Sequence, residues 1–547
     1  MTSVSSHIAN TLASHVEHVF GVMGNGNAYL LDAIERRPEI LYTPMRHEAG
    51  AVVAADAFYR SSGRIAVATV TYGAGFTNAL TALAESVQAR VPLILVVGEA
   101  PTSGPRDWDV DQVGLATAVG ASTFTVGTAD VCGTTMAALD HALGRQEPVV
   151  LAIPYDLAVA DAGELSAIPT PQLPKACDQL NHAAVSTVAA KLAASERPFL
   201  LAGRGAWRSN AGAQLGQLAD ATGAVTGSTA LGRGIFPNTR FDLGVTGGFG
   251  AEGAMSTVRE ADVAVVFGAA LNQFTMRFGD LFSPGTHVIQ VDVRTGATHP
   301  RVDTYIQGDA AAVAAALTRQ LGESQARSTS WRETLPFDSL RARGRGEGLA
   351  ADGRLDPRSA ASRLGELLPS DRVVVSDGGH FIGWANMYWP VASPDRMLMV
   401  GTAYQSIGLG LPSMVGAARA HPSSTIVLSS GDGGGLMALA DLESAIRVTG
   451  GRGIAVVWND AAYTAEVSLY GAKGLAEAPM LIPEVDFAAL GRAFGAESIV
   501  VRTVDDLDAL QGWSNRSPQE RPFLLLDLRI SKSIVAPYQE EIIRINS

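Results

Sequence analysis

The sequence predicts an α/β protein of three domains, each a doubly wound parallel sheet. Short apolar runs alternate with helical patterns along the whole chain, the mark of repeated βαβ units. Glycine is plentiful at 58 of 547 residues, which suits tight strand-to-helix turns. Two composition shifts divide a chain too long for one core: 160–188 is proline-bearing and aperiodic at first, and 322–354 is polar, charged and glycine-rich. The expected domains are therefore 1–165, 185–325 and 350–547, each of ordinary size.

In order, MTSVSSHIANTLASHVEHVF reads as one amphipathic helix lacking the apolar core of a secretion signal. RIAVATV reads as a strand, YGAG as a loop, FTNALTALAESVQA as a helix and VPLILVVGE as the next strand. The middle segment offers PFLLAG, DVAVVFG and THVIQVDV as strands. Gly203-Arg204-Gly205 follows the first of these, but Arg208 stands where a dinucleotide fingerprint needs its third glycine, so it reads as a tight turn. In the third segment TIVLSS is a strand and GDGGG a loop. LMALADLESAIRV is a helix with Leu436, Leu439, Leu442 and Ile446 on one side, and GIAVVWND is a strand. The first and third segments share this order, which suggests an internal pseudo-repeat around a different middle domain.

Composition excludes several classes. A net charge of −13 without a basic block argues against nucleic acid and anionic membranes. Cys132 and Cys177 are the only cysteines, which removes a disulfide framework and a cysteine metal site. No apolar run approaches the roughly 20 residues that cross a bilayer. A cytoplasmic enzyme is expected.

The chemistry concentrates between 425 and 466. Asp432, within Gly431-Asp432-Gly433, closes one expected strand, and Asn459-Asp460 closes the next. In a right-handed parallel βαβ unit both strand ends open on the same sheet edge, where ligands bind. Asp432 and Asp460 would converge there, and two carboxylates repel unless a cation lies between them. An all-oxygen site with few protein ligands suits Mg²⁺ completed by phosphate oxygens. The glycines, including Gly434, would let backbone N–H groups approach that phosphate. Asp432 alone would read as a helix N-cap; the paired Asn459-Asp460 is what favours a metal–diphosphate site.

These residues resemble a known family. Gly431-Asp432-Gly433, then 25 residues, then Asn459-Asp460 is similar to the motif of thiamine-diphosphate-dependent enzymes, with Asp460 where a second asparagine is usual. The resemblance implies that Asp432, Asp460 and the carbonyl of Ala462 hold Mg²⁺, with Asn459 in reserve. It extends over the chain: Arg46-His47-Glu48-Ala49-Gly50-Ala51 resembles the pyrimidine-domain segment that carries the activating glutamate, here Glu48. The loop Gly73–Asn78 resembles that of acetolactate synthase-like enzymes, with Gly75 and Asn78 against the cofactor. Ser406 and Ile407, with Gly408-Leu409-Gly410, resemble the segment whose apolar residue props the cofactor rings, and Gly378-Gly379-His380 and Tyr463 fall where diphosphate is gripped. The domains become pyrimidine-binding, central and diphosphate-binding. Taken singly, Glu48 would read as a surface glutamate paired with Arg46 or His47, and Ile407 as a core residue.

The role implied for Glu48 calls for a carboxyl buried in apolar surroundings, and the alanine- and valine-rich stretch 49–58 fits. The region EAPTSGPRDWDVDQ lacks the histidine pair of pyruvate-decarboxylase-type enzymes, and Asp107-Trp108-Asp109 stand where acetolactate synthases carry Phe-Gln-Glu. Asn25, Thr71 and Tyr72 occupy positions that face substrate in benzoylformate-decarboxylase-type enzymes. Glu466 matches a substrate-side glutamate of pyruvate-decarboxylase-type enzymes, or is an exposed helix residue; Trp108 lines a larger pocket or a core. The expected reaction is decarboxylation of a 2-oxo acid with transfer of the acyl carbanion to a carbonyl acceptor. Simple decarboxylation is the alternative, and a silent regulatory relative a minor one. A nicotinamide dehydrogenase would need a complete glycine fingerprint, which no segment supplies. The resemblance also implies a homodimer or homotetramer with Glu48 and Asp432 from different subunits. It leaves FAD possible in the middle domain, without support from the glycine pattern.

Overall fold

A computed structural model describes residues 2–165, 167–171, 180–324 and 328–546. It contains three six-stranded sheets whose pairings are all parallel.

The first sheet comprises β1 (His18–Gly21), β2 (Leu41–Pro44), β3 (Val67–Val70), β4 (Ile94–Glu99), β5 (Ser122–Thr125) and β6 (Val149–Pro154), ordered β2-β1-β3-β4-β6-β5. The second has β7 (Pro198–Ala202), β8 (Val225–Ser228), β9 (Asp242–Val245), β10 (Val263–Phe267), β11 (His287–Asp292) and β12 (Thr304–Gln307), ordered β12-β11-β10-β7-β8-β9. The third has β13 (Val373–Ser376), β14 (Met397–Leu398), β15 (Ile426–Gly431), β16 (Gly453–Asn459), β17 (Glu497–Val501) and β18 (Leu524–Arg529), ordered β14-β13-β15-β16-β18-β17. Renumbered from its own start, the third order equals the first, so the two outer domains repeat one topology and the middle one does not. Central strands such as β6, β7, β15 and β16 are buried at every residue, because helices cover both faces of a parallel sheet.

The outer domains share one core. The helix Gly410–Ala420 lies on the helix Glu48–Ser62 so closely that a Cβ on Gly416 would fall 2.8 Å from the Phe58 nitrogen. Beside this seam Arg60, Asp56 and Glu85 form a buried triad; Arg60 Nη1 donates to the Met399 carbonyl at 3.1 Å, and Glu85 Oε2 accepts from the Tyr404 N–H at 2.7 Å. Helices of the first domain thus hold the 399–404 loop of the third.

Several expectations change. The N-terminal stretch is a helix only over Val4–Ala13, capped by Ser3, and its last residues enter β1. The GDGGG segment is not a loop: Asp432 opens the helix Asp432–Met437, and after a break at Ala438-Leu439 the helix Ala440–Thr449 continues. The helix therefore begins within the glycines, and the expected single helix over 436–448 is interrupted at Ala438-Leu439, beyond them. Within 322–354 the short helix Phe337–Arg341 packs Phe337 on Phe241 of the middle domain. Cys132 is a free, buried thiol; Cys177 lies outside the described residues.

Candidate active site

Parallel sheets open a crevice where neighbouring strands run on in opposite directions of chain order, at the carboxyl ends. In the first sheet that point falls between β1 and β3, and in the third between β13 and β15. The residues singled out from the sequence gather at these two places.

At the third sheet, Asp432 follows β15 and Asp460 follows β16, and the strands pair Gly431 with Trp458. Asp432 Oδ2 accepts from the Ala461 N–H and Oδ1 from the Gly433 N–H, both at 2.8 Å. Asp460 accepts from Thr464 Oγ1 at 2.7 Å and from the Ala462 N–H at 3.2 Å. Both carboxyls are buried. Burial, then the neighbouring Asp460 charge, pushes the Asp432 pKa up to about 7; burial pushes Asp460 up to about 6. A buried pair that resists double ionisation is a donor set that a divalent cation would stabilise.

The third ligand implied by the resemblance is also oriented. Ala461 sits at φ 58°, a left-handed state that costs free energy in a non-glycine residue. An isolated antiparallel bridge then joins Ala462 to Leu481, through Ile482 N–H to the Ala461 carbonyl (2.9 Å) and Tyr463 N–H to the Met480 carbonyl (2.8 Å). In such a bridge the central residue turns its own N–H and C=O to the other edge. The Ala462 N–H meets Asp460 there, so its carbonyl faces the same side.

Asn459, the reserve ligand, has its amide nitrogen engaged elsewhere. Its amide donates to Asp527 Oδ1 and to the Val485 carbonyl, both at 2.9 Å.

Of the residues expected to grip the diphosphate, His380 meets the pair. His380 is buried, with Nε2 3.8 Å from Asp460 Oδ2, and burial lowers its pKa to about 4, so its ring is neutral at pH 7. Tyr538 donates its hydroxyl to the His380 carbonyl. Ser406 and the half-buried Ile407 lie against the Gly378-Gly379 turn: a Cβ on Gly378 would fall 2.8 Å from Ile407 Cγ2. The glycines serve packing rather than open space. A Cβ on Gly379 (φ 115°) would fall 2.5 Å from the Phe381 ring, on Gly433 2.6 Å from Tyr463, and on Gly434 2.8 Å from Asp377; Gly431 also faces Phe381. Sequence reasoning missed Asp377. It is buried after β13 and accepts from the N–H groups of Gly378 (2.8 Å), Gly408 (3.0 Å) and Leu409 (3.2 Å) and from Ser430 Oγ (3.0 Å), tying three loops together. Its signal was an acidic residue ending the apolar run VVVS.

At the first sheet, Glu48 opens its helix and accepts from Asn78 Nδ2 at 3.1 Å; a Cβ on Gly75 would fall 3.5 Å from Glu48 Oε1. Glu48 is only half-buried within one chain, not enclosed by the apolar residues that follow it, because those line the helix's inner face. Arg46 pairs instead with Glu443 of the third domain, and His47 caps its own helix. Thr71 Oγ1 accepts from the Gly26 N–H at 2.9 Å, and Asn25 Nδ2 donates to the Tyr72 hydroxyl at 2.9 Å. Arg106 lies 4.4 Å over the Tyr72 ring and 5.3 Å over Trp108, fastened to Asp109 at 2.8 Å. Trp108 is 63 % exposed, so it is no core residue. Glu466 is exposed in the first turn of the helix Thr464–Tyr470. Among the described residues no hydrogen bond joins the Glu48 group to the Asp432 group.

The middle sheet's corresponding point, between β7 and β10, is filled by the chain: a Cβ on Gly205 would fall 2.8 Å from Gly268 Cα.

Residues 2–115 match the N-terminal TPP binding domain of thiamine pyrophosphate enzymes, 185–317 their central domain and 377–519 their C-terminal TPP binding domain. The chain belongs to the thiamine pyrophosphate enzymes. Its curated relatives include the acetolactate synthase large subunit of Haemophilus influenzae, 26 % identical over 90 % of this chain and 88 % of the relative. Others are the acetolactate synthase isozyme 2 large subunit of Escherichia coli, 28 % identical over 79 % and 78 %, and the acetolactate synthase large subunit of Lactococcus lactis, 28 % identical over 83 % and 80 %. The enzyme is thus a thiamine-diphosphate-dependent, acetolactate synthase-like carboligase, and simple decarboxylation is not the favoured activity. No helix among the described residues is long and apolar enough to cross a membrane.

Proposed function

We propose that this enzyme uses thiamine diphosphate and Mg²⁺ to decarboxylate a 2-oxo acid and join the acyl carbanion to a second carbonyl compound. On this reading it works in the cytoplasm as a homodimer or homotetramer. The observation that supports it is the buried carboxyl pair Asp432 and Asp460 at the ends of β15 and β16, close enough that the Asp460 charge raises the Asp432 pKa, because such a pair calls for a cation.

Bound thiamine diphosphate supplies the electron sink needed to break a bond beside a carbonyl. The chain's own residues do the rest. Asp432, Asp460 and Ala462 would hold the cation and, through it, the diphosphate. Ile407, propped on Gly378, would hold the two rings in place. Glu48 would exchange a proton with the pyrimidine ring, with Asn78 orienting its carboxyl. Half-exposed in one chain, Glu48 would be enclosed when a second subunit brings its Asp432 group against it. Asn25 and Tyr72 would offer polar atoms to the reactants and Trp108 an apolar wall, with Arg106 already neutralised by Asp109. Glu466 would assist protonation only if the assembled site reaches it.

The test is product analysis with thiamine diphosphate, Mg²⁺ and a panel of 2-oxo acids, with and without aldehyde or 2-oxo acid acceptors. A 2-hydroxyketone or 2-hydroxy-3-oxo acid with CO₂ is expected, and Glu48→Gln should lose about 10²–10⁴-fold in rate. Release of the aldehyde alone would replace this reading with the decarboxylase.

A further inference from the structure

Behind the Asp432–Asp460 pair, polar groups close into a ring around Asn459. Its Nδ2 donates to Asp527 Oδ1 at 2.9 Å, and Asp527 Oδ2 pairs with Arg529 Nη2 at 2.7 Å. Arg529 Nη1 pairs with Glu484 Oε1 at 2.7 Å, and Glu484 Oε2 with Arg354 Nη1 at 3.0 Å. Arg354 Nη2 then returns to the Asn459 carbonyl at 3.3 Å, while its Nε is anchored on the Ile530 carbonyl at 2.8 Å. The charges alternate around the ring, and Asp527 and Arg529 are buried. The planar guanidinium of Arg529 serves two partners and that of Arg354 three, which fixes direction as well as distance.

The ring grips Asn459 by its peptide oxygen and by its side chain together. A sheet ladder sets where β16 ends but not the heading of the chain beyond it. That heading matters here, because the next residues are Asp460 and, two further on, Ala462, with Ala461 in a left-handed state between them. The segment that supplies Glu484 also supplies the Met480 and Ile482 contacts to 461–463 and the Val485 carbonyl that holds Asn459.

We propose that Arg354, Glu484, Arg529 and Asp527 are positioning residues for the cation site: they set the heading of the 459–462 strip so that Asp460 and Ala462 meet Asp432. The proposal rests on the reading that this strip holds the cation. Arg354 precedes the first helix of the third domain, so the end of the linker takes part in forming that domain's site.

The experiment titrates Mg²⁺ into the full chain at saturating thiamine diphosphate, followed by tryptophan fluorescence, and records the Tm of the cofactor-free protein. Glu484→Gln removes the charge shared by both arginines, Arg354→Lys keeps charge but loses the fork, and Glu366→Gln breaks the exposed Arg345–Glu366 pair as a control. Glu484→Gln should raise the half-saturating Mg²⁺ concentration about tenfold or more, Arg354→Lys should raise it less, and the control should leave it unchanged, with similar small Tm shifts in all three. Unchanged half-saturation in Glu484→Gln and Arg354→Lys, or a rise that follows Tm in all three variants, would overturn the positioning role. No Mg²⁺ response in the unsubstituted chain would instead sink the cation-site reading, and the ring's role with it.

Discussion

Asp432 and Asp460 carry the most consequential charge in the molecule. Their pKa values, about 7 and about 6, lie above those of free carboxyls. The cofactor-free protein therefore binds more protons here than the unfolded chain does, and the stability this contributes is complete below about pH 4 and lost as pH rises through 6 to 7. A bound cation removes that loss. The Tm gained from thiamine diphosphate plus Mg²⁺ should accordingly be larger at pH 8 than at pH 5.5, and Asp432→Asn should abolish most of the difference, as differential scanning fluorimetry would record. The paired aspartates were legible because both stand at strand ends with a fixed interval between them. Asp377 and Asp527 were not, since each acts through loops or strands far away in sequence. For Asn459 the resemblance implied a reserve ligand, and residue identity does not say that its amide nitrogen goes to Asp527 and Val485.

Among the elements, the two packed helices Glu48–Ser62 and Gly410–Ala420 join the outer domains, and the buried triad beside them ties the first domain to the loop leading to Ile407. Arg60 and its two acids are almost wholly buried. Removing the guanidinium would strand two carboxylates without water, so Arg60→Met should cost about 3–5 kcal/mol, read from the urea midpoint. Asp56→Asn in the same background should recover part of the loss by removing one stranded charge. Apolar runs made β3, β4, β7, β10, β11, β15 and β16 readable, though their ends moved by a few residues. The helix after β15 was read as one element because its apolar spacing is continuous, whereas its backbone breaks at Ala438-Leu439, which that spacing does not reveal.

For the whole molecule, the Glu48 and Asp432 groups sit at the crevices of two domains with one topology, and no hydrogen bond joins them among the described residues. If each site combines Glu48 of one subunit with Asp432 of another, mixing inactive Glu48→Gln and Asp432→Asn variants under subunit exchange should restore about a quarter of the original activity, since half of the dimers are hybrids and each hybrid has one intact site. Recovery of nothing, with exchange verified by tagged subunits, would place the complete site within a single chain. The pseudo-repeat was visible as two runs of strand, loop, helix and strand, but their common strand order was not. Legible along the chain alone were the three α/β segments and the acidic pair at the ends of consecutive strands, which follow from local periodicity and spacing, and the motifs around that pair, which rest on family resemblance. Which loops meet at each crevice, that glycines 379, 431 and 433 make room for aromatic rings, and that a ring of charges grips Asn459 came from the fold, because those are contacts between segments that spacing along the chain does not encode.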